Sequence, residues 1–134
     1  WLSGQRLDDQ TYAVGHYLLG LAAECALRSV FADDPSIPMP AHDIDKLFQK
    51  AVAKNPDLNH LTVRIKWLKM LWDNKDRYKA REEFYRRRLN MGLLKELKLT
   101  PNDLSRDGDR VLKRVREFMI GHVVEIGKAV NIYV

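Results

Sequence analysis

Residues 15–31 read GHYLLGLAAECALRSVF, and how this stretch is taken decides the fold. It contains no proline and no strand-like alternation. With Tyr12 and Ala13 before it, the residues Tyr17, Leu18, Leu21, Ala22, Cys25 and Leu27 cover far more than one stripe of a helical cylinder. A helix that apolar belongs between other helices. It is expected to run from Asp8 or Asp9 to Phe31. Gly15 and Gly20 each weaken it by up to about 1 kcal/mol relative to Ala, so the close approach of a neighbour is their expected reason. Cys25, flanked by Glu24 and Ala26, reads as a small buried side chain and not as a nucleophile.

Working outward, the rest of the chain keeps the same period. Asp43 is placed to cap a second helix whose Ile44, Leu47, Phe48, Ala51 and Val52 make a narrow stripe, ended by Asn55-Pro56-Asp57. Leu58, Leu61, Ile65, Leu68 and Leu71 or Trp72 define a third helix, from about Leu58 to Trp72. Trp67 and Trp72 fall on different faces of it, one expected in the core and one at a dimer surface. Gly92 is a stop signal for a basic segment spanning 77–90. Thr100-Pro101-Asn102-Asp103 marks a helix start. Leu112, Val115, Met119, His122, Ile126, Ala129 and Tyr133 form the seam of a last helix, beginning near Asp107 or Asp109. The expectation is one all-α domain over residues 1–134, an up-and-down bundle of four to five helices.

Composition narrows the class. Apolar residues at 46% and charged residues at 31% suit a globular chain and argue against disorder. No apolar run is long enough to cross a bilayer. A single cysteine can make no intrachain disulfide or zinc cluster, so the cytoplasm is the expected compartment. The four histidines show no metal-ligand spacing with acids, no Gly-rich phosphate loop is present, and neither a metal nor a cofactor is expected. The net charge of +5 is uneven: of the residues from Arg77 to Arg88, six are Arg or Lys and two are Glu. Such a cluster suits a polyanion, RNA or a nucleotide, with Arg77, Lys79, Arg81, Arg86 and Arg87 on phosphate and Tyr78 stacking a base. The alternative is a solvated face laced by Glu82–Arg86 and Glu83–Arg87 pairs.

His16, Gly20, Glu24 and Arg28 follow one another at four-residue steps, a polar line on an apolar cylinder. Either the line is an exposed face with an internal Glu24–Arg28 pair, or it is the floor of a cleft in which Gly20 leaves room for a ligand.

Three blocks in order, LAAECALRSVF at 21–31, HDIDKLF at 42–48 and DRY at 76–78, resemble the HEPN domain family of higher eukaryotes and prokaryotes. Ile44 stands where the family has Leu, and Lys79 where a Pro often follows the Arg-Tyr pair. The resemblance implies a dimeric helical bundle acting on RNA or nucleotides, either as a ribonuclease toxin paired with an antitoxin or beside a nucleotidyltransferase partner. The ribonuclease branch carries an Arg, four to six residues, then a His; here that is Arg116 to His122, REFMIGH, with Glu117 where Asn, Asp or His is more usual. Read so, His122 is the acid/base on a ribose hydroxyl and Arg116 the phosphate clamp of a metal-independent endoribonuclease. The other reading is a non-catalytic module for a nucleotide or partner protein. On an ideal helix the two residues stand roughly 9 Å apart along the axis and about 120° apart around it, so they converge only if the helix is irregular near Gly121 or a second subunit completes the site.

Overall fold

Helical periodicity carries through to the tertiary structure. The computed structural model describes residues 9–37, 42–73, 89, 91–106 and 108–131. Among these the chain is helical, without strands: α1 (Asp9–Ser29), α2 (Ile44–Lys54), a 3₁₀ turn (Pro56–Leu61), α3 (Thr62–Leu71), α4 (Met91–Leu97), α5 (Pro101–Arg106) and α6 (Gly108–Ala129). The longer helices close a ring, α1 on α2, α2 on α3, α3 on α6 and α6 on α1, with α4 and α5 packed on α6. Inside it lie Leu27, Phe31, Leu47, Leu68, Met119 and Ile126, all fully buried. None of the described helices is long and apolar enough to cross a membrane.

Local chemistry sets the ends of these elements. Asp43 accepts from the Lys46 amide at 3.1 Å and so satisfies one orphan donor of α2. Asp43→Ala should lower stability by about 1 kcal/mol, readable as a shift of the urea midpoint with an unchanged slope. The third helix starts with a tighter turn than expected. Pro56 has no amide to give, Asn55 accepts from Asp57 N at 3.2 Å, and the first α-helical bonds begin only at Thr62. At 100–103 the expected start is present, with Asp103 accepting from the Thr100 amide at 2.8 Å and from its hydroxyl at 3.1 Å.

Gly92 lies in the first turn of α4, where burial of Leu93, Leu94 and Leu97 against the core outweighs the small propensity cost of one glycine, and the basic segment it was expected to stop lies outside the described residues. One expectation is corrected here. Cys25 is exposed. The reason is the rotation of α1. Its polar line turns inward, with His16 and Glu24 fully buried, while Val14 at 40% and Leu18 at 55% exposure face outward beside Cys25. Apolar residues lie on both faces of α1, with Tyr12, Ala13, Ala23 and Leu27 buried beside the polar line, so hydrophobicity alone chooses poorly between rotations and specific polar partners help to set it.

Candidate functional site

Those partners begin with His16. Its Nε2–H donates to the Leu71 carbonyl at 2.6 Å, satisfying an end carbonyl of α3, and its ring stacks on Tyr12. One turn on, Trp72 lies flat against Gly20: a Cβ there would sit 1.9 Å from the indole. Trp72 also donates from Nε1 to the Tyr17 carbonyl at 3.1 Å. The space that Gly20 opens is therefore filled by the chain's own tryptophan. His16 caps a helix within the core and lines no cleft. Trp67 is the less buried of the two tryptophans and meets Phe118 edge-on, with Lys66 over its ring.

Arg116 is likewise occupied. Its guanidinium lies 4.5 Å from the Tyr12 ring centroid and donates from Nη2 to the Tyr12 carbonyl at 3.0 Å. A side chain at Gly15 would come within 3.0 Å of the same guanidinium, so both glycines of α1 are sites of close approach. Tyr12 in turn donates its hydroxyl to Leu112 O at 2.8 Å. Together these contacts lock α1 to α6.

His122 sits on another side of α6. Arg64 of α3 donates from Nη1 to His122 Nδ1 at 3.1 Å, and Phe118 meets the ring edge-on at 4.3 Å between centroids. Since Nδ1 accepts, the ring proton is on Nε2, which is buried and lacks a partner. Burial first, and the Arg64 charge second, push the imidazole pKa down to about 4. At neutral pH the ring is neutral. Helix α6 runs unbroken through Gly121, which has open space around it, so no irregularity there brings Arg116 and His122 together. Arg116 meets α1 and His122 meets α3. Glu117 lines a cavity of about 260 Å³ with Glu96, Leu97, Lys98, Arg114 and Phe118.

The structure does assemble a third group, from residues far apart in sequence. Glu24 is 1% exposed at its side chain; its Oε2 lies 3.3 Å from His42 Nδ1 and 3.6 Å from Arg28 Nη2. Its Oε1 is buried with no hydrogen-bond partner. A carboxylate only accepts, so Nδ1–H of His42 donates to it and Nε2 is left outward on a side chain 42% exposed. His42 reaches this position through a backbone φ of 47°, a left-handed conformation that costs a non-glycine residue on the order of 1 kcal/mol. Asp43, not His42, caps α2. A buried carboxylate thus holds an outward imidazole, with a guanidinium 31% exposed at its side. The Arg28 guanidinium can donate to a phosphate or carboxylate, and the His42 imidazole joins it as a second donor only when Nε2 also carries a proton.

Glu24 and Arg28 were legible as a pair from their spacing. His42 is separated from Glu24 by a loop holding three prolines, and nothing in that spacing reveals the contact. Arg64, the partner of His122, carried no signal in the sequence. Arg77, Tyr78, Lys79, Arg81, Arg86 and Arg87 lie outside the described residues. Among the described residues no three His, Cys, Asp or Glu side chains gather as a metal-ligand set. No protein-family model, curated protein or solved structure matches the chain.

Proposed function

We propose that this protein is a HEPN-like module of the cytoplasm that binds RNA or a nucleotide, alone or beside a partner such as an antitoxin or nucleotidyltransferase. Arg28 and His42 grip a phosphate, and the charge of the basic segment from Arg77 to Arg88 suits further phosphates of the same polyanion. The observation that carries this reading is the Glu24–His42–Arg28 group. Its carboxylate is buried and short of one donor, and its two nitrogen-bearing side chains are presented together to solvent. Glu24 orients His42 as a second carboxylate or carbonyl orients a working histidine elsewhere.

The geometry favours binding over cleavage at Arg116 and His122. For these to act as clamp and acid/base, Arg116 must leave Tyr12, and Nε2 of His122 must reach solvent from a ring with a pKa of about 4. Both side chains hold helices together instead.

The test is titration of labelled mixed-sequence single-stranded RNA, and of ATP, against the protein in EDTA at several salt concentrations. Wild-type RNA affinity should fall steeply with salt as phosphate counterions are released. Arg28→Gln and His42→Ala should each weaken binding about tenfold, the loss of one charge-assisted hydrogen bond, with helical content unchanged. His122→Ala should leave binding intact. Salt-insensitive binding, or full affinity in both the Arg28 and the His42 variant, would sink the assignment. RNA cleavage that disappears in a folded His122→Ala protein would return the chemistry to α6.

A further inference from the structure

The cavity beside Glu117 takes no part in the Glu24–His42–Arg28 group. It opens between the end of α4 and the middle of α6, holds about 260 Å³, and is lined by no residue of α1 or α2. Glu96, Leu97 and Lys98 form one wall; Arg114, Glu117 and Phe118 form the other. Each wall thus carries an acid, a base and an apolar side chain. The opposite charges do not neutralise one another. Arg114 and Glu117 are neighbours on one helix face, yet Glu117 is in no ion pair. Among the described residues the side chains of Glu96 and Lys98 are likewise without hydrogen bond or ion pair. Arg114 instead donates from Nη1 to the Leu97 carbonyl at 3.3 Å, which fixes its guanidinium at the cavity.

Lys98 sits there against its backbone preference. Helix α4 ends in a Schellman motif, with the Leu99 amide donating to the Leu94 carbonyl at 2.9 Å and the Lys98 amide to the Lys95 carbonyl at 3.1 Å. That motif needs a left-handed residue, and Lys98 supplies it with a φ of 57°. Glycine meets the demand without strain; lysine does not. A strained and unpaired charge beside a cavity finds its reason in what the cavity receives.

We infer that this cavity binds a zwitterionic amino acid with an apolar side chain. Lys98 and the free nitrogens of Arg114 take its carboxylate, Glu96 and Glu117 take its ammonium, and Leu97 and Phe118 cover its side chain. A simple carboxylic acid would lie beside two unanswered carboxylates, and a simple amine beside two unanswered cations. Two acids against two bases also leave no net charge to draw a polyanion. The volume falls just below that of sites for drug-sized ligands, which suits a small metabolite. Glu96, Lys98 and Glu117 are exposed, so each ion pair is weak and the dissociation constant is on the order of 1 mM.

The test titrates L-leucine into isotope-labelled protein and follows the amide resonances of residues 96–98 and 114–118. Saturable shifts are expected there. Isoamylamine, which lacks the carboxylate, and isocaproate, which lacks the ammonium, should each bind about tenfold more weakly. Lys98→Gly should weaken leucine binding about tenfold, leave isoamylamine binding unchanged, and raise the urea midpoint by relieving the left-handed backbone. Glu117→Gln should weaken leucine binding about tenfold and isocaproate binding not at all. No saturable shift up to about 20 mM leucine would overturn the inference and make these charges a solvated surface. Equal affinity for either single-charge analogue would overturn it too, as would a Lys98→Gly protein that binds leucine like the wild type.

Discussion

Gly20→Ala should lower the stability of this protein by about 3 kcal/mol, through a single added methyl group. The physical reason is local and one-sided. The new Cβ would lie 1.9 Å from Cε2 and Nε1 of Trp72, and 2.2 Å from Cδ2, well inside contact distance. The indole cannot simply swing away. It is 6% exposed, donates to the Tyr17 carbonyl and stacks on the Tyr17 ring at 6.0 Å between centroids. Either α1 and the end of α3 separate, or Trp72 gives up its seat. A double-mutant cycle isolates the cause. Trp72→Ala alone should cost about 3 to 5 kcal/mol, and Gly20→Ala in that background should be neutral or stabilising by up to about 1 kcal/mol, from helix propensity. Urea melts of the four proteins measure it. Additive losses from the two substitutions would mean that the ring does not occupy this notch.

Stability should also depend on pH through His122. Its folded-state pKa is pushed down to about 4 from an ordinary value near 6.5, by burial and by the Arg64 guanidinium. The unfolded chain therefore binds a proton between those values while the folded chain does not. The unfolding free energy accordingly rises with pH across this window. The contribution is complete above about pH 6.5 and lost as the pH falls toward 4, with a full amplitude of about 3 kcal/mol. His122→Leu, which keeps bulk and removes the proton site, should flatten that part of the curve, and Arg64 is near enough to solvent to rehydrate. Denaturant midpoints at pH 4.5, 5.5 and 7 in the two proteins give the comparison. An equal acid loss in both would place the sensitive group elsewhere. The same neutral, Arg64-bound ring explains why this histidine serves packing better than proton transfer at neutral pH.

The candidate sites were legible to different degrees, and the reasons are particular. Arg116 and His122 stand out in sequence because their residue types and spacing suit phosphate chemistry. That spacing is a property of one helix and carries no information about which neighbours each side chain meets. Tyr12 and Arg64 claim them from two different helices. The glycines were more informative, since a residue that weakens a helix needs a tertiary reason, and both prove to be places where another side chain presses on α1. The Glu24–His42 contact required the loop between α1 and α2 to return, a matter of three-dimensional path with no local signature.

Read alone, the sequence determined the helical class, the positions of the long helices, the Asp43 cap and Leu112, Val115, Met119, His122 and Ile126 of the α6 seam, whose expected last member Tyr133 lies outside the described residues. Each follows from a period or a capping interaction spanning a few residues. Tertiary structure alone decided how α1 is rotated. Hydrophobicity is nearly uniform around that helix, so burial energy distinguishes poorly among its rotations. Directional bonds break the tie: His16 to the Leu71 carbonyl, Glu24 to His42, and Trp72 seated on Gly20. These polar and steric contacts turn an expected outer face inward. The same turn leaves Val14, Leu18 and Cys25 facing the solvent.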